Sequence, residues 1–124
     1  MDIIIANSSP EPIYEQIVRQ IREQIITGQL PGGEPLPSIR NLAYQLQISV
    51  ITTKRAYEEL EREGLIVTVG GKGSFVHSHN TASLRAKGYG LIEEKIKSVV
   101  REAKSLHIDL PELEKILARQ YKEE

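Results

Sequence analysis

The stretch from Leu36 to Val76 constrains the fold more than any other part of this sequence. Its first half contains two short segments in which apolar residues recur at helical spacing, separated by the turn Gln47–Ser49. Its second half contains two apolar, β-branched runs on either side of the glycine-rich segment Gly70–Gly73, a pattern typical of a β-hairpin. The stretch therefore predicts two helices joined by a tight turn and followed by two antiparallel strands.

Each of these two helices has an inward face and a serine that can cap its first turn. The inward residues are Ile39, Leu42, Ala43 and Leu46 in the first helix, and Thr53, Ala56, Tyr57 and Leu60 in the second. Ser38 and Ser49 stand at the N-cap positions, and Ile48 is expected to be buried under the turn. The small side chains of Ala43 and Ala56 suit a close crossing of the helices. We therefore expect a helix-turn-helix with the hairpin as a wing.

Another helix is predicted before this stretch. Ile13, Ile17, Ile21 and Ile25 recur at four-residue intervals and form one apolar stripe, which ends at Thr27–Gly28. The preceding segment Ser8–Pro12 has a hydroxyl for the cap of this helix and prolines for its first turn. Asp2–Ala6 is rich in isoleucine and is expected to form either a short edge strand or an ordered arm.

Two further helices are predicted near the C-terminus. Thr81–Gly90 is polar and is either a frayed helix or a connector, whereas the spacing from Ile92 onward is clearly helical. A break at His107–Asp109 leaves Asp109 as the cap of the last helix. The apolar stripes either fold back on the first domain or pair with a second copy of the chain. We favour pairing, because two helices alone cannot bury both stripes. The residues assigned to the dimer interface are Ile92, Ile96, Val99, Val100, Ala103, Leu113, Ile116 and Leu117.

The fold class is therefore mostly α with a small β-hairpin. A winged helix-turn-helix domain is expected at residues 1–80, followed by a two-helix C-terminal dimerisation hairpin at residues 81–124.

Composition excludes several classes of function. The chain has no cysteine, no apolar run near the roughly 18 residues of a membrane-spanning helix, and no secretory signal at its N-terminus. We therefore expect a cytoplasmic protein that does not bind membranes. His77 and His79 have no acid or cysteine beside them, which is more typical of linker polarity than of a metal site. Without a nucleophile–base pair, we predict no enzyme, no metal and no cofactor.

The charges are distributed unevenly. The net charge of −1 provides no overall attraction to nucleic acid. Between Pro35 and Tyr57, however, there is no acidic residue, and the only charge from Gly64 to Val76 is Lys72. The acids Glu58, Glu59, Glu61 and Glu63 are concentrated at the far end of the second helix of the pair. The sequence therefore predicts a surface free of acids around the helix-turn-helix and the wing.

Polar residues of this acid-free region are candidates for contacts with DNA. Ser38 can cap a helix and reach a phosphate, and the planar fork of Arg40 matches two acceptors of guanine. The alternative for both is a serine cap and a solvated arginine. At the start of the next helix lie Ser49, Thr52, Lys54 and Arg55, where hydroxyls, amides and cations can hold phosphate.

Two further features of this region remain open to two interpretations. Val50 and Ile51 either contact a thymine methyl group or pack on the turn. Gly71 and Lys72 in the hairpin loop can lie along a DNA groove, although any hairpin can require such glycines.

The residues from Pro12 to Val76 together resemble the N-terminal winged-helix domain of GntR-type bacterial transcription regulators. The resemblance rests on the spacing of LPSIRNLA, on TTKRAYEELEREGL and on the wing GKGSFV. About 44 C-terminal residues follow in place of a large effector domain, which resembles the short YtrA-type subfamily.

This resemblance implies DNA contacts from the positions that match the family motif, namely Ser38, Arg40, Thr52, Lys54, Arg55, Gly71 and Lys72. It also implies a homodimer formed by the C-terminal helices and a regulated operon that encodes a transporter. Many family members have arginine where this chain has Val50, so we expect a different operator. The sequence assigns no small-molecule effector.

We therefore predict a homodimeric repressor that binds double-stranded DNA at a palindromic operator. The alternative is a winged helix that assembles with other proteins through the acidic end of the second helix of the pair, which is the recognition helix of a helix-turn-helix.

Overall fold

The computed structural model describes residues 1–78 and 81–123, and this part of the chain contains five helices and one two-stranded sheet. The elements are α1 (Ile13–Ile26), α2 (Ile39–Leu46), α3 (Val50–Arg62), β1 (Ile66–Val69), β2 (Gly73–Val76), α4 (Thr81–Ser105) and α5 (Leu110–Glu123). The predicted fold class is confirmed. Within the described residues, no helix combines the length and the apolar character needed to cross a membrane. The chain divides into two compact units, Met1–Arg85 and Ala86–Glu124.

The core of the first unit lies where α1 and α2 pack on α3. Six of the eight predicted inward residues are buried, with Ala56 and Leu60 of α3 completely inaccessible to solvent. The other two, Ile39 and Leu46, are partly buried and pack against the core. Further core residues include Ile17, Ile21, Leu42, Val76 and Leu84. The contact between α2 and α3 holds the helix-turn-helix together, and α1 supports the back of α3.

The segment before α1 differs from the prediction that a serine hydroxyl caps this helix. Pro12 occupies the N-cap position, and no side chain caps it. The Ser9 hydroxyl instead accepts a hydrogen bond from the Glu11 amide at 3.1 Å, and so stabilises the turn that precedes the helix. The prediction was wrong because the prolines extend the turn and move the start of the helix beyond the reach of the serines.

Residues Asp2–Ala6 form an ordered arm without regular strand structure. Three glutamines of α1, spaced four residues apart, hydrogen-bond its backbone. Gln16 binds Ala6, Gln20 binds Ile4, and Gln24 binds Asp2. Four helical residues rise about 6 Å and two extended residues about 6.6 Å. The two spacings match, so the arm runs antiparallel to α1 and is held at alternate residues.

The turn between α2 and α3 is closed by backbone hydrogen bonds. Gln47 adopts a left-handed conformation with φ of 55°, and its amide donates to the Tyr44 carbonyl. The Ile48 amide donates to the Ala43 carbonyl at 3.0 Å, and together these bonds form a Schellman motif. Ile48 is half-buried and packs on the core, close to the burial that was predicted for it.

The hairpin is antiparallel, with Val67 opposite Phe75 and Val69 opposite Gly73. Its outer edge is paired as well, although the sequence did not indicate this. The Leu36 amide donates to the Ser74 carbonyl, and Pro35 forms an isolated bridge with Phe75. The segment after α1 therefore fixes the wing to the domain.

Tyr57 connects α3 to the start of α2. Its buried hydroxyl donates to the Pro37 carbonyl at 2.7 Å, and burial raises the pKa of this phenol far above its ordinary value. We expect Tyr57→Phe to lower the free energy of unfolding by about 1–1.5 kcal/mol at pH 8, because one hydrogen bond is lost. The stabilising contribution of a group with a raised pKa is complete below the ordinary pKa and is lost as the pH rises. The difference between wild type and variant should therefore shrink above about pH 10.

Urea denaturation at pH 8 and pH 10.5 measures this difference. Tyr44 is exposed, so Tyr44→Phe is the control and should show no such dependence. A Tyr57→Phe deficit that stayed constant between the two pH values would contradict the prediction.

The second unit consists of most of α4, followed by α5. Thr81–Gly90 belongs to α4, so the helical interpretation of this segment is confirmed and the connector is excluded. α4 ends in a Schellman motif in which His107 has φ of 57° and the Ile108 amide donates to the Ala103 carbonyl. Asp109 caps α5 as predicted, because its carboxylate accepts a hydrogen bond from the Glu112 amide at 3.0 Å.

Candidate nucleic-acid interface

The first candidate residues lie at the start of α2. The Ser38 hydroxyl accepts a hydrogen bond from the Asn41 amide at 3.0 Å, so this serine is the cap of the helix. Arg40 is exposed in the first turn. One turn later Tyr44 is also exposed, and its hydroxyl is available to a phosphate oxygen. Tyr44 was not singled out from the sequence, and its only signal was an aromatic residue on the polar face of a predicted helix.

Ser49 and Thr52 form the cap of α3. The Ser49 hydroxyl accepts from the Thr52 amide and donates to the Thr52 hydroxyl, each at 3.0 Å. Both side chains therefore order the N-terminus of the helix. The first amides of any helix lack an intrahelical acceptor and attract anions, so a phosphate at this end is electrostatically favoured.

The outward face of α3 carries Ile51, Lys54, Arg55 and Glu58, at the three- and four-residue spacing of one helical stripe. The Lys54 ammonium lies 3.9 Å from the Glu58 carboxylate, an exposed and weak pair that leaves this lysine able to reorient. The Arg55 guanidinium lies 3.8 Å from the centre of the Tyr14 ring. This cation–π contact orients Arg55 from the side of α1.

The hairpin loop presents Gly71 and Lys72 to solvent. The Lys72 amide donates to the Val69 carbonyl at 2.9 Å, which closes a four-residue turn. Gly71 is the third residue of this turn and has φ of 78°, a value that a type II turn requires and that glycine adopts without strain. The tip of the wing therefore exposes glycine backbone without side chains, and the Lys72 side chain is adjacent to it.

An ion pair fixes the far end of α3. The Arg22 guanidinium donates to both oxygens of Glu63, each at 2.8 Å, and the Glu63 side chain is only 5% exposed. Glu63 is the C-cap residue of α3, so its negative charge meets the negative end of the helix dipole. Arg22 offsets this repulsion and joins the recognition helix to α1.

His77 and His79 were considered as a metal site in the sequence analysis, and the described residues do not form one. His79, the second histidine of that pair, lies outside the described residues. Among residues 1–78 and 81–123, no three His, Cys, Asp or Glu side chains are close enough to hold a metal ion.

Comparisons with known proteins agree with this geometry. The family described as "Bacterial regulatory proteins, gntR family" matches residues 13–76, from the start of α1 to the end of β2. The chain is 35% identical over 105 residues to the HTH-type transcriptional repressor YtrA of Bacillus subtilis (strain 168), covering 85% of this chain and 81% of that protein.

Two solved structures extend the comparison. A transcriptional antiterminator from Listeria monocytogenes EGD-e superimposes with a TM-score of 0.71 and 35% identity, covering 98% of this chain and 90% of that one. The DNA-binding domain of AraR, solved in complex with operator ORX1, superimposes with a TM-score of 0.54 and 25% identity, covering 61% of this chain and 95% of that one.

The matched family consists of DNA-binding transcription regulators and not of enzymes. The match includes the capped helix pair and the glycine-tipped hairpin, which carry every DNA-contact candidate, and the similarity to YtrA extends into the C-terminal helices. The chain belongs to the gntR family of bacterial regulatory proteins, as a short YtrA-like member with a winged helix-turn-helix.

Proposed function

We propose that the chain is a cytoplasmic homodimeric repressor that binds a palindromic operator through the acid-free surface of its first unit. The observation that carries this proposal is the joint exposure of Arg40, Lys54 and Lys72 in one compact unit, with no acid between Pro35 and Tyr57. At such a surface the phosphates of DNA meet cations and helix N-termini, and the first acid on the outward face of α3, Glu58, lies 3.9 Å from the Lys54 ammonium.

The candidate contacts divide into two roles. Arg40 is the reader of a base edge, since its side chain is exposed in the first turn of α2 and no carboxylate precedes Glu58 on the helix pair. Lys54, Arg55 and Lys72 bind phosphates, and Gly71 allows the wing backbone to approach the duplex. Ser38, Ser49 and Thr52 order the two helix ends, whose amides then face the backbone of the operator.

The second unit supports the homodimer. Ile92, Ile96 and Val99 on α4 and Ile116 and Leu117 on α5 all remain exposed in the single chain. Ala103 is already buried, and Val100 and Leu113 are half-buried, so these three form the inner edge of the same apolar surface. A second copy would cover the remaining side chains, and two recognition helices would then reach major grooves about 34–36 Å apart or a multiple of it.

We infer that the regulated operon encodes a transporter, and the likeness to the YtrA-type regulators supports this inference. Assembly with another protein through the acidic end of α3 is the competing function. In that region Arg62 pairs with Glu59 at 2.6 Å and Lys54 lies near Glu58, so part of the acidic charge is neutralised within the helix.

Selection from a random DNA pool tests the function directly. The full chain should enrich one sequence with two-fold symmetry, and genomic fragments recovered in the same way should identify the regulated genes. If the chain enriches no sequence and shifts no duplex at micromolar concentration and low salt, DNA binding is excluded and the assembly module becomes the preferred function.

The two roles of the cations lead to different outcomes on mutation. Arg40→Ala should weaken operator binding by about 1–3 kcal/mol and relax the preference at one base position in each half-site. Lys72→Ala should weaken operator and random DNA alike and reduce the dependence of affinity on salt. Fluorescence anisotropy with both duplexes at several salt concentrations separates the effects. Wild-type affinity of Arg40→Ala for the operator would show that another residue reads the base.

A further inference from the structure

The start of α3 contains an apolar feature that phosphate binding does not explain. Ile51 is 81% exposed and Val50 is 48% exposed, although both are aliphatic residues in the first turn of the recognition helix. Neither belongs to the hydrophobic core or packs against it. The interpretation that they pack on the turn is therefore excluded for Ile51, and this turn is filled by Ile48 instead.

The surroundings of Ile51 indicate what it contacts. Lys54 and Arg55 follow at three and four residues on the same helical face, and the first acid on that face is Glu58. Seven residues correspond to about 10 Å along the helix axis, so Ile51 lies at the end of α3 remote from the acidic cluster. An apolar protein partner would gain nothing from the adjacent cations, whereas DNA is attracted by them.

In the major groove, each base pair presents hydrogen-bonding groups, and only thymine adds an apolar one, the methyl group at C5. A branched aliphatic side chain at the start of a recognition helix gains free energy by covering this methyl group, whereas covering a polar base edge would leave its hydrogen-bonding groups unpaired. We propose that Ile51, with Val50 beside it, reads a thymine methyl group at a fixed position in each operator half-site. This inference rests on the DNA-binding function proposed above and names the base that this part of the site recognises.

Replacement of thymine by deoxyuridine tests the proposal, because it removes the methyl group and leaves every hydrogen-bonding group in place. The probe is the tightest duplex recovered from the random pool, synthesised with one symmetric pair of thymines replaced at a time. At one position we expect a loss of affinity of about fourfold when one half-site is replaced and about fifteenfold when both are, the effect of burying one methyl group in each half-site. At that position, 5-methylcytosine paired with guanine should likewise bind about fourfold more tightly than cytosine.

The variants assign the effect to the side chain. Ile51→Ala should bind the thymine and deoxyuridine duplexes equally. The control is Ile4→Ala, since Ile4 is an isoleucine of the same unit with nearly the same exposure, 78%, but lies in the N-terminal arm. This variant should discriminate between the duplexes as wild type does. Both residues are at the surface, so neither change removes core packing.

Three results would overturn the inference. One is a wild-type affinity that changes less than twofold at every deoxyuridine position, and another is discrimination that persists in Ile51→Ala. The third is equal loss of discrimination in Ile51→Ala and Ile4→Ala. In each of these cases the wild-type chain still binds its selected duplex, so the proposed function stands. Failure to enrich any duplex is a different result, which removes the proposed function itself.

Discussion

Ile96→Glu should convert the proposed homodimer into a monomer at micromolar concentration. Ile96 lies in the middle of α4, 44% exposed, with Ile92 and Val99 exposed on the same face. In a symmetric dimer the substitution places two carboxylates in one apolar interface, where each loses hydration without gaining a partner. We expect the free energy of dimerisation to weaken by at least about 3 kcal/mol, which raises the dissociation constant of the dimer roughly a hundredfold. Sedimentation velocity measures the change as a halving of the mass.

Loss of dimerisation in Ile96→Glu should also lower the affinity for the operator. A palindromic site is bound tightly because the second half-site is reached by a subunit that is already tethered. Loss of the dimer should therefore reduce affinity for the complete operator at least about tenfold, while affinity for an isolated half-site stays the same.

The control for this prediction lies on the same helix. Ser98 is exposed two residues further on, about 200° around the helix axis from Ile96, and Ser98→Glu adds the same charge. This variant should remain dimeric and bind the operator as wild type does. Circular dichroism of both variants establishes that the helices persist. A folded Ile96→Glu chain that still sedimented as a dimer would place the interface elsewhere.

The parts of the fold that were predicted from sequence depend on local signals. Caps, helical periodicity and glycine turns act within a few residues, and Ser38, Ser49 and Asp109 all cap the helices assigned to them. Helical periodicity, which is equally local, also predicted the polar face that carries Arg40 and Lys54. The one cap that failed, before α1, failed because the prolines extend the preceding turn, where the Ser9 hydroxyl accepts from the Glu11 amide instead.

The remaining features depend on residues that are distant in sequence. Arg55 stacks on Tyr14, and Arg22 pairs with Glu63, each across 41 positions, and no periodicity indicates such partners. The sequence predicted an exposed Arg55 for phosphate binding, but its cation–π contact shows that α1 also orients it. The pairing of Leu36 with Ser74 was hidden for the same reason, since the proline-rich segment resembles a free loop.

The glutamines of α1 illustrate this limit most clearly, and they lead to a large expected effect. Gln16 is 2% exposed and makes three hydrogen bonds. Its oxygen accepts from the Ala6 amide at 2.8 Å, and its nitrogen donates to the carbonyls of Ala6 and Glu11 at 3.0 and 2.8 Å. In Gln16→Glu, an oxygen replaces this nitrogen and faces two carbonyl oxygens. We expect the free energy of unfolding to fall by about 3–5 kcal/mol at pH 7, the effect of an unpaired buried charge.

The origin of this loss can be separated into charge and hydrogen bonding. Gln20→Glu makes the same replacement one turn later, where Gln20 binds Ile4 in a half-exposed position and water can solvate the carboxylate. Gln20→Glu should lower the free energy of unfolding by only about 1 kcal/mol. Gln16→Met removes the hydrogen bonds without adding a charge, so its loss of unfolding free energy should lie between those of Gln16→Glu and Gln20→Glu. Urea denaturation at one protein concentration compares all three, since the stability of a dimer depends on concentration.

The pH dependence of the stability deficit distinguishes the effect of the buried charge from the effect of the lost hydrogen bonds. A protonated carboxyl can donate one hydrogen bond to a carbonyl oxygen, so the deficit of Gln16→Glu should shrink as the pH falls towards about 4.3, the ordinary pKa of glutamate. The deficit of Gln16→Met should not change over this range. If the two variants were equally unstable at pH 7 and pH 5, the arm would be held by packing of Ile3 and Ile5 on the core and not by the polar contacts of the glutamines.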